Sequence, residues 1–246
     1  MSCMRQGGRH DAVPLPSTLA GRAVSSRDHI LARVRRGLGR SGSAAEPARQ
    51  RVEQALSNHQ IGPLPVVDRA PDALLERFRR RSEAYASTVD QVGAMAAVPA
   101  AVARYLAALD LPRRAVVQPA LGPLGWQDAG IAVEARGARD ADLVGVTGCF
   151  CAVAETGSLM MCSAPDTPAA VSLLPETHIA VVEASRILPY MEDAWRLLRA
   201  ELGNMPRAVN FISGPSRTGD IEQTIVLGAH GPYRVHIVIV DSTVPR

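Results

Sequence analysis

An α/β fold, with a mostly parallel sheet flanked by helices and one antiparallel hairpin, is what this sequence predicts, and three observations carry it. Over residues 144–240, short runs of Val, Ile, Leu and Ala each end in Gly, Ser, Thr or an acid, as strands do when their ends build a small-molecule site. Upstream, apolar residues recur at helical spacing, so strands alternate with helices rather than with turns alone. A chain of 246 residues, 47% hydrophobic and 21% charged, has material for one sizeable core.

Residues 1–25, rich in Gly, Pro and Ser, read as a flexible leader, residues 26–65 as a helical arm and linker, and residues 66–246 as the α/β domain. In the arm, residues 26–34 open with a capping residue and an acid in the first turn. Ile30, Leu31, Val34 and Leu38 then share a helix face until Gly37 and Gly39 end it. Residues 48–58 form a second helical stretch. The sequence leaves open whether this arm packs on its own domain or on another copy of the chain, as a homo-oligomer.

From Asp72 a helix carries Leu74, Leu75, Phe78 and Tyr85 on one stripe. Pro99 stands where a first turn tolerates proline, ahead of Val102, Tyr105, Leu106 and Leu109. Strands are read at residues 115–118, 131–134, 143–147, 151–155, 159–162, 179–182, 209–213 and 235–240, with one late helix at 189–202. The hairpin is placed at residues 155–158.

No lysine occurs, so all 27 basic residues are Arg. That excludes a Schiff-base or general-base lysine and the lysine of a phosphate-binding P-loop, and leaves anion contacts to Arg and backbone N–H. Net charge is +3. Arg33, Arg35 and Arg36, and Arg77, Arg79, Arg80 and Arg81, sit in helices with acids nearby and read as solvated faces rather than a nucleic-acid footprint. Aromatic content of 4% leaves little for base stacking. No apolar run has the length of a membrane span, and the N-terminal stretch lacks the apolar centre of a signal peptide. With four Cys and no secretory signal, the expected compartment is the reducing cytoplasm.

Gly145-Val146-Thr147-Gly148 lacks the remaining glycine of a dinucleotide fingerprint and runs into another strand, so it reads as a tight turn or bulge rather than an NAD or FAD site. In Ala154-Glu155-Thr156-Gly157-Ser158, a two-residue Thr156-Gly157 turn sets Glu155 opposite Ser158 at the sheet rim. Glu155 is then base, nucleophile or hydrogen-bond acceptor, or else a solvated hairpin glutamate. The same register sets Cys151 opposite Cys162, with Cys149 on the face of Cys151. These thiols lack the paired spacing and fourth ligand of a zinc or iron–sulfur site, so no metal is expected and they read as small buried hydrophobes.

His178 follows Glu176 in Leu-Pro-Glu-Thr-His and points either into the cleft as an acid–base group or to solvent. Ser213, Gly214, Ser216, Arg217, Thr218 and Asp220 follow a strand. Their backbone N–H groups, hydroxyls and guanidinium suit a carboxylate or phosphate, with Asp220 and Glu222 on an orienting side. A helix-capping turn with an Asp–Arg surface pair is the alternative. His230, in His-Gly-Pro before the last strand, either completes the site or only turns the chain.

As a set, Gly-Val-Thr-Gly at Gly145, Ala-Glu-Thr-Gly-Ser at Ala154, Ser-Leu-Leu-Pro-Glu-Thr-His at Ser172, Phe-Ile-Ser-Gly-Pro-Ser-Arg-Thr-Gly-Asp-Ile-Glu at Phe211 and Gly-Ala-His-Gly-Pro at Gly228 resemble the LUD-domain family. The likeness covers roughly residues 26–241 and is densest toward the C-terminus. It implies a fold like that of the sugar-phosphate isomerase and coenzyme A transferase superfamily. It also implies a part in oxidising L-lactate to pyruvate, beside an iron–sulfur oxidoreductase and a larger iron–sulfur protein. This chain lacks the cysteine clusters of such partners. It is therefore expected to bind no cofactor directly and to act as a substrate-binding or organising subunit for a small carboxylate. Transferases of the superfamily use a strand-end Glu as nucleophile, and Glu155 is its counterpart by fold analogy. That leaves a stand-alone acyl or sugar-phosphate enzyme as the rival reading. Cys149 and Cys151 depart from the small residues usual in the family, and Gly219 stands where Ala is more familiar.

Overall fold

The apolar runs become strands because both their faces are covered. In a computed structural model that describes residues 25–39, 45–58, 61–221 and 224–241, the chain begins with α1 (Ser26–Gly37), α2 (Ala45–Asn58) and α3 (Pro71–Ala84). It continues through β1 (Thr88–Val92), α4 (Val98–Ala108), β2 (Arg114–Val117), β3 (Ala132–Ala135), β4 (Val144–Gly148), β5 (Cys151–Val153) and β6 (Ser158–Cys162). Then come α5 (Ala170–Leu173), β7 (Thr177–Glu183), β8 (Ile187–Leu188), α6 (Met191–Leu202), β9 (Val209–Ile212), β10 (Arg217–Ile221), β11 (Thr224–Leu227) and β12 (Arg234–Val240). The expected leader lies, apart from Ser25, outside the described residues, as does Glu222.

Six parallel strands make the main sheet in the order β1-β12-β7-β4-β2-β3. A second sheet of four strands, β8-β5-β6-β9, is antiparallel except where β5 meets β8. The mostly parallel sheet with an antiparallel element is thus the observed architecture, and the expected hairpin is the centre of the second sheet.

Alternation along the central strands divides the core into layers. Val146, Ile179, Val181 and Val238 meet Val98, Val102 and Leu106 of α4 on one face. Ala180, Val182, Ile237 and Ile239 meet Leu74 and Phe78 of α3 and Ala152, Leu159 and Ile212 of the second sheet on the other. Cys151, Val153 and Met160 then pack against Ala194 and Leu198 of α6. Each large apolar side chain taken fully out of water contributes about 1.5–3 kcal/mol, and Phe78, Leu106, Leu159, Ile179 and Ile239 all reach zero exposure.

Ile61 onward forms one body and the helices before it another. In the earlier body α1 starts one residue after Ser25, whose hydroxyl accepts from the Asp28 N–H at 3.2 Å while the Asp28 carboxylate accepts from the Ser25 N–H at 3.3 Å. Ile30, Val34 and Leu38 of α1 and Val52 and Leu56 of α2 are exposed. In the later body, residues 61–67 are held by Tyr190, whose hydroxyl donates to Pro65 O at 2.6 Å and accepts from Val67 N–H at 3.2 Å. No helix among the described residues is long and apolar enough to cross a membrane.

Two local readings are corrected. Gly145-Val146-Thr147-Gly148 is not a turn but most of β4 itself, a central strand whose residues are buried as far as Thr147. Residues 217–220 are not loop: they belong to β10, which pairs with β11 in a two-stranded ribbon separate from both sheets. Thr, Gly and Asp in that stretch resemble a loop by composition, and the ribbon forms through cross-strand partners that composition does not reveal.

Candidate functional site at the hairpin tip

The turn between β5 and β6 has four residues, 154–157, not two. Val153 therefore faces Ser158, and Cys151 faces Met160 rather than Cys162. The displacement has a local cause. Residues 154 and 155 donate their N–H groups to Leu188 O and Pro189 O, at 2.8 and 3.1 Å, and so extend the parallel contact with β8 instead of pairing with β6. Gly157 closes the turn through its N–H to Val153 O at 2.9 Å.

Three hydroxyls line up at this tip. Oγ1 of Thr156 lies 2.8 Å from Oγ of Ser158, which lies 2.6 Å from Oγ of Ser213. Ser158 is 2% exposed and Ser213 lies at the surface, so the chain of hydroxyls runs from the protein interior to its rim. Glu155 is half-buried beside it, and its carboxylate has no hydrogen bond or ion pair among the described residues.

The two glycines of the site seat it on the end of α3. Gly157 and Gly214 have φ of +68° and +79°, where L side chains are strained. A Cβ on Gly157 would fall 2.7 Å from the backbone of Arg81 and Ser82, and one on Gly214 would fall 2.1 Å from Tyr85 O. Ser82 adds a hydrogen bond, its hydroxyl donating to Gly157 O at 3.3 Å. Ser82 was not among the expected site residues. Its signal was a hydroxyl at the four-residue spacing of Leu74 and Phe78 on an otherwise apolar stripe.

The other expected residues scatter. Arg217 is exposed at the start of β10, opposite Leu227, with no ion pair among the described residues. Ser216 is engaged by its backbone, its N–H donating to Pro232 O and its carbonyl accepting from Gly228 N–H, both at 2.9 Å. Thr218 faces Val226, and Asp220 lies in the same strand. His230 is exposed in the turn before β12.

His178 points neither into a cleft nor to solvent. Its strand begins at Thr177, one position before the histidine, so the ring enters the centre of the main sheet with no exposure at all. Nε2 lies 2.7 Å from Thr147 Oγ1, Nδ1 has no partner, and burial pushes the pKa down to about 4.

Among the described residues the cysteines, Cys149, Cys151 and Cys162, are free. Cys149 donates its S–H to Cys151 O at 2.8 Å, Cys151 Sγ lies 3.7 Å from Met160 Sδ, and burial raises all three thiol pKa values. Among the described residues no group of three or more His, Cys, Asp and Glu is arranged to hold a metal ion.

Residues 45–240 match the family model of the LUD domain. Lactate utilization protein C of Bacillus subtilis (strain 168) is 38% identical over 102 residues, 40% of this chain and 42% of that protein. Lactate utilization protein C 1 of Bacillus mycoides (strain KBAB4) is 42% identical over 108 residues, 43% of this chain and 46% of that protein. In both, the aligned stretch spans less than half the relative's length. Lactate utilization protein C of Exiguobacterium sp. (strain ATCC BAA-1283 / AT1b) is 28% identical over 230 residues, 89% of this chain and 97% of that protein. Among solved structures, a DUF162 family protein from Deinococcus radiodurans is similar, with a TM-score of 0.53 and 26% identity over 72% of this chain and 99% of the other.

Proposed function

The chain belongs to the LUD domain family, and from that premise we propose that it serves in lactate utilisation, as a subunit that binds a small carboxylate and leaves electron transfer to iron–sulfur partners. The hydroxyl chain at the hairpin tip is the observation that carries the ligand. Thr156, Ser158 and Ser213 bring three O–H protons to two mutual hydrogen bonds, so one donor is left over for a ligand oxygen. We assign the charge a carboxylate needs to Arg217, which is exposed four residues beyond Ser213 in the sequence and has no ion pair among the described residues. Four Cys without paired spacing support a division of labour in which other subunits carry the electrons.

Deletion of the gene, with growth on L-lactate as readout, and affinity capture of the tagged full chain from lactate-grown cells test this reading. Impaired growth and co-purified iron–sulfur proteins are expected. Unaffected growth with no such proteins recovered would sink it.

One observation favours a second reading, a stand-alone transferase or isomerase: the Glu155 carboxylate stands unpartnered at a strand end beside those hydroxyls. That enzyme would turn over acyl thioesters or sugar phosphates and would lose turnover in Glu155→Gln.

A further inference from the structure

A second site lies at the other end of the same hairpin. β2 leads outward to β3 at the sheet edge, while β4 leads the opposite way to β7, so the strand order reverses between β2 and β4. Open α/β sheets form a crevice at the carboxyl ends of such strands. Here that crevice is a cavity of about 280 Å³, at the small end of ligand pockets, walled by Gln118, Cys149, Phe150, Cys162, Asp166 and Leu202 among others. Cys162 ends the strand that Ser158 begins, so roughly 13 Å of strand separates the cavity from the hydroxyl chain.

The cavity has one built polar contact. Gln118 is only 3% exposed, and its Oε1 accepts from the Gly148 N–H at 2.8 Å, which fixes the orientation of the amide. The amide NH2 then has no partner among the described residues and lies at the cavity wall.

Charge decides the ligand class. Asp166 is the one charged residue among those lining the cavity, and the guanidinium nearest to it, Arg186 over the Phe150 ring at 4.9 Å, is already paired with Glu201, so no free guanidinium compensates a carboxylate. Both thiols stay protonated, burial pushing Cys162 up to about 11 and raising Cys149 well above the ordinary thiol value. Phe150, Leu202 and the sulfurs present apolar surface to the rest of the ligand.

We propose that this cavity is a small-molecule site for an uncharged compound of metabolite size that offers one carbonyl or hydroxyl oxygen to the Gln118 amide. It is separate from the anion site proposed at the hairpin tip and does not depend on it.

The test uses the full chain and two reagents of matched size, iodoacetamide and iodoacetate, at pH 8, with mass spectrometry of the Cys162 peptide. Either reaction forms one S–C bond and releases iodide and the thiol proton, and only the reagent's charge differs. After normalisation to free cysteine, the amide should alkylate Cys162 about tenfold faster than the carboxylate. Propionamide, which cannot react, should slow it about threefold. Gln118→Glu keeps an acceptor for the Gly148 N–H but has no NH2 to offer, and Gln118→Met offers neither; in both, protection by propionamide should vanish. Equal normalised rates, no alkylation by either reagent, or protection that survives both substitutions would overturn the proposal.

Discussion

Across the β4–β7 pair, Nε2 of His178 lies 2.7 Å from Oγ1 of Thr147 with the opposite ring nitrogen unpartnered, so the fold holds this histidine in its neutral form. His236, one strand over, is held alike. Its ring stacks on Tyr105 at 3.9 Å, Nδ1 lies 2.8 Å from Thr88 Oγ1, and Nε2 has no partner.

Burial pushes both histidines down to about 4 from the ordinary 6.5. Between those values the unfolded chain takes up protons that the native protein refuses. The stability each histidine contributes is present above pH 6.5 and lost as pH falls toward 4, up to about 3 kcal/mol apiece. Urea unfolding should therefore show a midpoint that is level from pH 8 to 6.5 and drops steeply from there to pH 4. A level profile across the lower range would mean that the rings take up protons without unfolding.

Gly214→Ala should be the most damaging single-methyl change at the hairpin tip. Left-handed backbone costs an alanine about 1–2 kcal/mol, and the new Cβ, 2.1 Å from Tyr85 O, is relieved only by moving the end of α3. A total near 3 kcal/mol lowers the melting temperature by roughly 6–12 °C in a protein of this size. Gly157→Ala meets its nearest atom at 2.7 Å and should cost less. A loss below about 1 kcal/mol at Gly214 would show that α3 yields instead of anchoring the tip.

The strands most legible in the sequence are β7 and β12, whose Ile-Ala-Val-Val and Ile-Val-Ile-Val runs are buried on both faces. β1, Thr-Val-Asp-Gln-Val at the sheet edge, has only Val92 buried and shows no such run. Register was less legible than strand identity. Glu155 and Ser158 flank a plausible two-residue turn, but the contact that sets the register is a backbone bond to Pro189, over thirty residues away. The glycines of both site motifs were legible as glycines; what they approach, the end of α3, is a tertiary fact. His178 was misplaced because one residue of strand boundary decides whether a polar side chain caps a strand or enters it.

Tyr190→Phe should loosen the segment that enters the second body. The hydroxyl is both donor to Pro65 O and acceptor from Val67 N–H, so its removal strands two backbone groups, and Val67 is 7% exposed. A destabilisation of about 1–3 kcal/mol follows. Hydrogen exchange at the Val67 amide should accelerate more than at β7 or β12. Equal acceleration everywhere would indicate global destabilisation rather than a local tether.

The carboxylate site is tested by ligand-dependent melting. A ligand bound only by the native protein stabilises it by mass action, about 2.7 kcal/mol at a hundredfold excess over Kd. Lactate or pyruvate should raise the melting temperature of the native chain. Arg217→Ala should weaken that response, since a charge-assisted hydrogen bond is worth about 1.5–3 kcal/mol, or roughly 10- to 150-fold in affinity. Ser213→Ala removes a neutral hydroxyl and should weaken it by about tenfold or less. Glu155→Gln should not weaken carboxylate binding, because an acid's side chain offers an anion no attraction that the amide would lose. If only coenzyme A thioesters or sugar phosphates stabilise the protein, and Glu155→Gln abolishes their turnover, the tip is an enzyme's active site and the lactate reading fails there.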